Sequence, residues 1–137
     1  MSTGTSNQHI THIKSVGDVS IARRAGMELA VELGFPTADA TKIAVTISEL
    51  ARNILAYAQT GTITIITRPE EDPPYIKIIA NDHGPGIPDL DMALTDGWSS
   101  SGGLGLGLSG AKRLMDDFVV VSEPGRGTTI TAVKWRR

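Results

Sequence analysis

The chain has 137 residues, 40% hydrophobic and 20% charged, which suits one folded domain with a core of ordinary size and excludes a disordered segment. A formal net charge of −2 offers no basic footprint for nucleic acid, and the absence of cysteine excludes disulfides and thiolate metal sites. No apolar stretch approaches the length of a membrane span and the polar start, Met1 to Asn7, lacks a signal-peptide layout, so a cytoplasmic protein without membrane contact is expected.

Residues 1–7 read as a flexible tail, and His9 to Val16 alternates weakly, as an edge strand would. A helix is expected from Val19 to Leu33, with Asp18 as N-cap and Gly34 and Pro36 as the stop. The next helix has the strongest pattern. Thr37 reads as its cap, and Ala40, Ile43, Ala44, Ile47, Leu50, Ala51, Ile54 and Ala58 recur at helical spacing. Thr62 to Arg68 and Tyr75 to Asn81 predict two strands around an acidic, proline-rich loop at 69–74. Residues 82–104, rich in glycine, proline and serine, predict a long loop with a short helix near Asp89 to Leu94. A helix from about Leu104 to Asp117 follows, then strands Phe118 to Ser122 and Thr128 to Trp135. The order β-α-α-β-β-loop-α-β-β predicts an α+β two-layer sandwich, one mixed sheet covered on one face by helices.

Four short patterns carry chemistry. On the strongest helix, Glu49 and Asn53 are four residues apart and so roughly 40° apart around the axis, away from the stripe centred on Ile43, Ile47 and Ile54. An amide oxygen there can take one Mg²⁺ coordination position, and a carboxylate can accept a proton from an attacking hydroxyl. Taken alone, the pair is more commonly a solvated helix face. After a strand comes Asp82-His-Gly-Pro-Gly-Ile-Pro, whose glycines at 84 and 86 let a flat ligand approach and whose aspartate can accept from an adenine amino group. Taken alone this is a common turn.

The third pattern, Gly102-Gly-Leu-Gly-Leu-Gly-Leu, opens a helix, where backbone N–H groups converge on anions such as phosphate. It lacks the lysine of a Walker A loop. Although Gly105, Gly107 and Gly110 match a dinucleotide fingerprint by letter, no strand precedes them and no acidic residue follows at the right distance. The fourth is Gly125-Arg-Gly127-Thr128, by itself a hairpin turn. His9 and His12 form a lone pair without a third metal ligand.

In this order the four patterns resemble the N, G1, G2 and G3 boxes of the GHKL family, which includes histidine-kinase catalytic domains, Hsp90, MutL, type II topoisomerases and small bacterial serine kinases. The resemblance spans nearly the whole chain and implies a Bergerat fold over 8–137, with ATP and Mg²⁺ held between helices and sheet beneath a lid from about Pro88 to Gly103. It implies that Glu49 is the general base and Asn53 the Mg²⁺ ligand. It also implies that Asp82 binds adenine with Gly84, Gly86 and Ile87 around it, that Gly103, Leu104, Gly105, Leu106 and Gly107 meet the phosphates, and that Thr128 supports the adenine site.

Length favours a stand-alone kinase over the multidomain members, and no histidine lies on a convincing helix to serve as a phosphoacceptor. Within the family the chain is similar to the stressosome switch kinases, on Ile47-Ser-Glu-Leu-Ala-Arg-Asn-Ile54, Asp82-His-Gly-Pro-Gly-Ile-Pro-Asp89, Asp96 to Gly105, Lys112 to Phe118 and Lys134-Trp135. Leu106 departs from the alanine common in that branch. The resemblance implies a serine/threonine kinase that phosphorylates STAS-domain stressosome proteins, both antagonist and scaffold, and is released to activate a PP2C-type phosphatase. Two alternatives stay open: an anti-sigma-factor kinase, and a nucleotide-dependent binding module without catalysis. Trp98, in the expected lid, reads either as a partner contact or as a local anchor.

Overall fold

The structure, a computed structural model, describes residues 7–86 and 107–137. The expected short helix at 89–94, the lid, Trp98 and the site residues Ile87, Gly103, Leu104, Gly105 and Leu106 lie outside the described residues. In chain order the elements are β1 (Asn7–Ile13), α1 (Val16–Glu32), α2 (Thr37–Tyr57), β2 (Gly61–Arg68), β3 (Tyr75–Asp82), α3 (Gly107–Leu114), β4 (Asp117–Glu123) and β5 (Gly127–Trp135).

Helix α1 starts three residues earlier than predicted. Ser15, not Asp18, is its N-cap. Asp18 is the third helical residue, and its Oδ2 accepts from the backbone N–H groups of Lys14 at 2.9 Å and Ser15 at 3.1 Å, the reaching-back half of a capping box. The far end closes as expected. Gly34 sits at φ +94, Phe35 N donates to Ala30 O at 3.1 Å and Gly34 N to Val31 O at 3.0 Å, a Schellman closure that also buries Phe35. In α2, Pro36 occupies the cap position and Thr37 is the first helical residue, because proline already supplies the extended entry and lacks an N–H to satisfy.

The five strands are ordered β1-β2-β3-β5-β4, and every neighbouring pair is antiparallel, so the sheet is not mixed. The reason lies in the connections. Two helices between β1 and β2 return the chain reversed, and hairpins join β2 to β3 and β4 to β5. The connection from β3 to β4, which includes α3, leaves those two parallel, but β5 lies between them.

Alternation decides which strand residues meet the helices. In β3, Ile76, Ile78, Ala80 and Asp82 are buried while their neighbours are partly exposed. With Ile63 and Ile65 of β2 and Ile130 and Ala132 of β5 they form the floor of the core, which is roofed by Ile43, Ile47, Leu50 and Ile54 of α2 and by Leu108 of α3. Each such isoleucine or leucine contributes about 1.5–3 kcal/mol on burial. The buried Lys134 Nζ donates to Leu114 O at 3.0 Å, satisfying a carbonyl at the end of α3.

The backbone bonds that Asp18 receives, first the one from Lys14, hold its carboxyl below the ordinary aspartate value. A lowered folded-state value contributes stability that is fully present above the unfolded value and is lost as pH falls through the folded one. Asp18→Ala therefore lowers the melting temperature at about pH 7, and its gap to the unmodified chain closes as acid protonates the folded carboxyl. Thermal melts from neutral to acid pH check this, and a gap unchanged by acid would contradict it.

Candidate functional site

Glu49 and Asn53 are not on a solvated face. They are 2% and 1% exposed, among the least accessible side chains of the molecule. Between Thr46 and Ile54, α2 is buried on almost every side, since α1 packs on one flank, the sheet beneath and α3 on another. A buried carboxylate must be bonded, and both oxygens of Glu49 are. Arg52 Nη1 donates to Oε1 at 3.0 Å and Gly107 N donates to Oε2 at 3.1 Å. Gly107 has φ +70 and begins α3, so Glu49 holds the first N–H of that helix across 58 positions of sequence.

Asn53 differs. Its Oδ1 and Nδ2 are both buried and have no hydrogen-bond partner among the described residues. An unsatisfied buried amide costs about 1–3 kcal/mol, a cost that a bound group with matching donors or acceptors would offset. An amide oxygen held in this way fits a Mg²⁺ ligand, for hard divalent cations take neutral and anionic oxygens.

At the end of β3, strand parity points Asp82 to the helix side, where it is 4% exposed. Its Oδ1 accepts from Gly84 N at 3.0 Å and from Thr128 N at 3.3 Å, its direct partner on β5. Both bonds engage one oxygen, and Oδ2 takes none among the described residues, leaving an acceptor suited to an amino group. Thr128 Oγ1 in turn shares a hydrogen bond of 3.0 Å with Ser122 Oγ on β4.

The glycines here are required by close approaches. A Cβ on Gly84 would lie 2.5 Å from Ala58 Cβ at the end of α2. Gly127, at φ +116, brings its backbone against the Asp82 carbonyl, where a Cβ would overlap. Gly86, at φ +86, lies against Glu123 O, and Gly125 N donates to Pro85 O at 3.0 Å. The loop after β3 and the β4–β5 turn thus hold each other in place around Asp82.

The structure brings together Glu49 with Gly107, and Asp82 with Gly84 and Thr128. Three contributors escaped the sequence reading. Arg52 was detectable, being three residues beyond Glu49 at ion-pair spacing on a helix. Ser122 needed the strand register, and Lys134 needed the tertiary position of α3. Among the described residues no cluster of three or more His, Asp or Glu forms, and no helix is long and apolar enough to cross a membrane.

With this geometry in view, residues 38–137 match the family model described as histidine kinase-, DNA gyrase B-, and HSP90-like ATPase. The chain belongs to that ATPase family. It is 49% identical over 131 residues to the serine/threonine-protein kinase RsbT of Bacillus subtilis (strain 168), covering 96% of this chain and 98% of that one. It also resembles the solved RsbU and RsbW domains of a Mycobacterium tuberculosis protein, with a TM-score of 0.66 and 20% identity over 98% of this chain. The chain spans only 33% of that larger protein, and the likeness shows the shared fold. Identity to RsbT over nearly the whole length, together with the ATPase domain, makes this chain a protein serine/threonine kinase.

Replacing Asn53 by leucine tests the orphaned amide. Removing an unsatisfied polar group for an apolar one of similar shape is neutral or stabilising, so Asn53→Leu melts no lower than the unmodified chain without nucleotide, and up to about 1 kcal/mol higher. The same change abolishes the Mg²⁺-dependent part of nucleotide binding. Melting curves with and without Mg-ATP read both effects, and a clear loss of stability without ligand would contradict the assignment.

Proposed function

We propose that the chain is a cytoplasmic kinase, one ATP-binding domain over 8–137. It moves the ATP γ-phosphate to a serine or threonine of STAS-domain partner proteins, antagonist and scaffold, in a partner-switching stress pathway. Once they are phosphorylated, it is released to bind and activate a PP2C-type phosphatase. The observation that carries this reading is the buried pair on α2: a fully engaged carboxylate, Glu49, four residues from an amide, Asn53, with no hydrogen-bond partner among the described residues. A module that only bound nucleotide would use the amide, and the carboxylate only as an anchor for α3, not as a proton acceptor.

In this reading Asp82 Oδ2 accepts from the adenine amino group while Gly84 and Thr128 fix the carboxylate through Oδ1. Gly84 and Gly86 let the loop beside that pocket pack against Ala58 and Glu123, and Thr128 braces it through Ser122. The glycines at 103, 105 and 107, with Leu104 and Leu106, approach the phosphates. Asn53 Oδ1 would hold Mg²⁺, which when bound neutralises charge on the phosphates. The acceptor hydroxyl oxygen forms a bond to the γ-phosphorus as the bond from that phosphorus to the ADP oxygen breaks. Glu49 takes the hydroxyl proton. Burial gives the carboxylate a fixed position, so the acceptor meets an oriented base rather than a mobile one.

Glu49→Gln is the decisive variant because the amide oxygen can still accept from Gly107 N. Phosphotransfer to a purified STAS-domain protein, followed by intact mass, is expected to fall by about 10²-fold or more, while ATP affinity stays within about twofold. Transfer at the unmodified rate would remove the base assignment. Asp82→Asn is expected instead to weaken ATP binding by about tenfold or more, read by calorimetry, since it places a donor where an acceptor is needed.

A further inference from the structure

The groove between α1 and α2 lies outside the residues assigned to the nucleotide. Two adjoining cavities of about 560 and 480 Å³ run along it and share Ser20 and Arg23. Arg52, Val16 and Leu55 line the first, and Arg24 lines the second. Among the described residues no aspartate or glutamate lines either cavity, although acidic residues outnumber basic ones in the chain, 15 to 13. Arg23 and Arg24 are exposed, and neither forms an ion pair among the described residues. Beside these cations Val16 is 77% exposed. Cationic side chains interleaved with apolar ones match a protein segment bearing carboxylates and apolar side chains, by charge and by surface type.

Arg52 belongs to both places. It lines the groove, with 43% of its side chain exposed, and it donates through Nη1 to Glu49 Oε1. A guanidinium has five N–H donors, so one bond to Glu49 leaves others for a second carboxylate. While Arg52 occupies Oε1 and Gly107 occupies Oε2, each oxygen of the base is engaged.

Resting on the kinase reading above, we propose that the α1–α2 groove seats an acidic segment of the acceptor protein, and that its carboxylates draw Arg52 away from Glu49, opening Oε1 to the acceptor hydroxyl. Docking and base release are then one event. The nucleotide can bind without the acceptor, yet the base becomes available only when the acidic segment is in place. Arg52 is a positioning residue in this scheme, and Arg23 supplies docking charge alone.

The test is steady-state phosphotransfer by the full chain to a purified STAS-domain acceptor, at several ionic strengths, with ATP affinity measured separately. Arg23→Glu is expected to raise the acceptor KM by about tenfold and to remove much of its dependence on salt, with ATP affinity unchanged. Arg52→Gln raises the acceptor KM and also raises ATP hydrolysis without acceptor several-fold, because Oε1 is then open to water. Arg52→Lys keeps a cation and restores most of the KM. A merely structural Arg52 would lower hydrolysis along with stability, so hydrolysis that is unchanged or reduced in Arg52→Gln overturns the gating. An acceptor KM and salt dependence unaffected by Arg23→Glu, with the acceptor still phosphorylated, overturns the groove and leaves the kinase reading standing. If the unmodified chain binds ATP yet phosphorylates no such acceptor, the kinase reading falls, and this proposal with it.

Discussion

A carboxylate that is 2% exposed organises this molecule. A carboxylate oxygen in an apolar interior is costly unless it is hydrogen-bonded, so Glu49 dictates what stands next to it. One oxygen engages Arg52 at the edge of α2, and the other the first N–H of α3. The second bond matters more for architecture. It ties the helix that follows the glycine-rich segment to the helix that carries Glu49, and an N–H at a helix start is the group that anions seek. The carboxylate therefore holds α3 by the same chemistry with which a phosphate would be held.

The sheet supplies a second fixed point by a simpler rule. Side chains alternate along β3, so once Ile76 and Ile78 face the helices, Asp82 must face them too. The register then sets Asp82 opposite Thr128, and the left-handed Gly127 lets β5 begin hard against the last carbonyl of β3. Hydrophobic burial and polar placement are thus a single decision. Asn53 stands apart, an amide with the desolvation cost of burial and no return among the described residues. Natural sequences keep such a conflict where a ligand resolves it.

Much of this was legible beforehand. Periodicity in α2 and alternation in β2 and β3 located those elements within a residue or two, and the four glycine, carboxylate and amide patterns marked the family in the order it requires. The helix starts were less legible. Asp18 and Ser15 can each cap a helix, and only the folded backbone shows Ser15 at the cap with Asp18 reaching back. Pro36 displaced Thr37 from the cap for a comparable local reason.

The sequence by itself determined which residue types face the core, where the turns fall and which side chains have chemistry suited to Mg-ATP, because these follow from local spacing and from the chemistry of each group. Only tertiary structure decided that Glu49 and Asn53 are buried, since a helical pattern shows one apolar stripe and cannot show that a third helix covers the opposite flank. Only tertiary structure placed β5 between β3 and β4 and so made the sheet antiparallel throughout. The bond from Gly107 to Glu49 belongs there too. It spans 58 positions, and no local rule pairs residues so far apart.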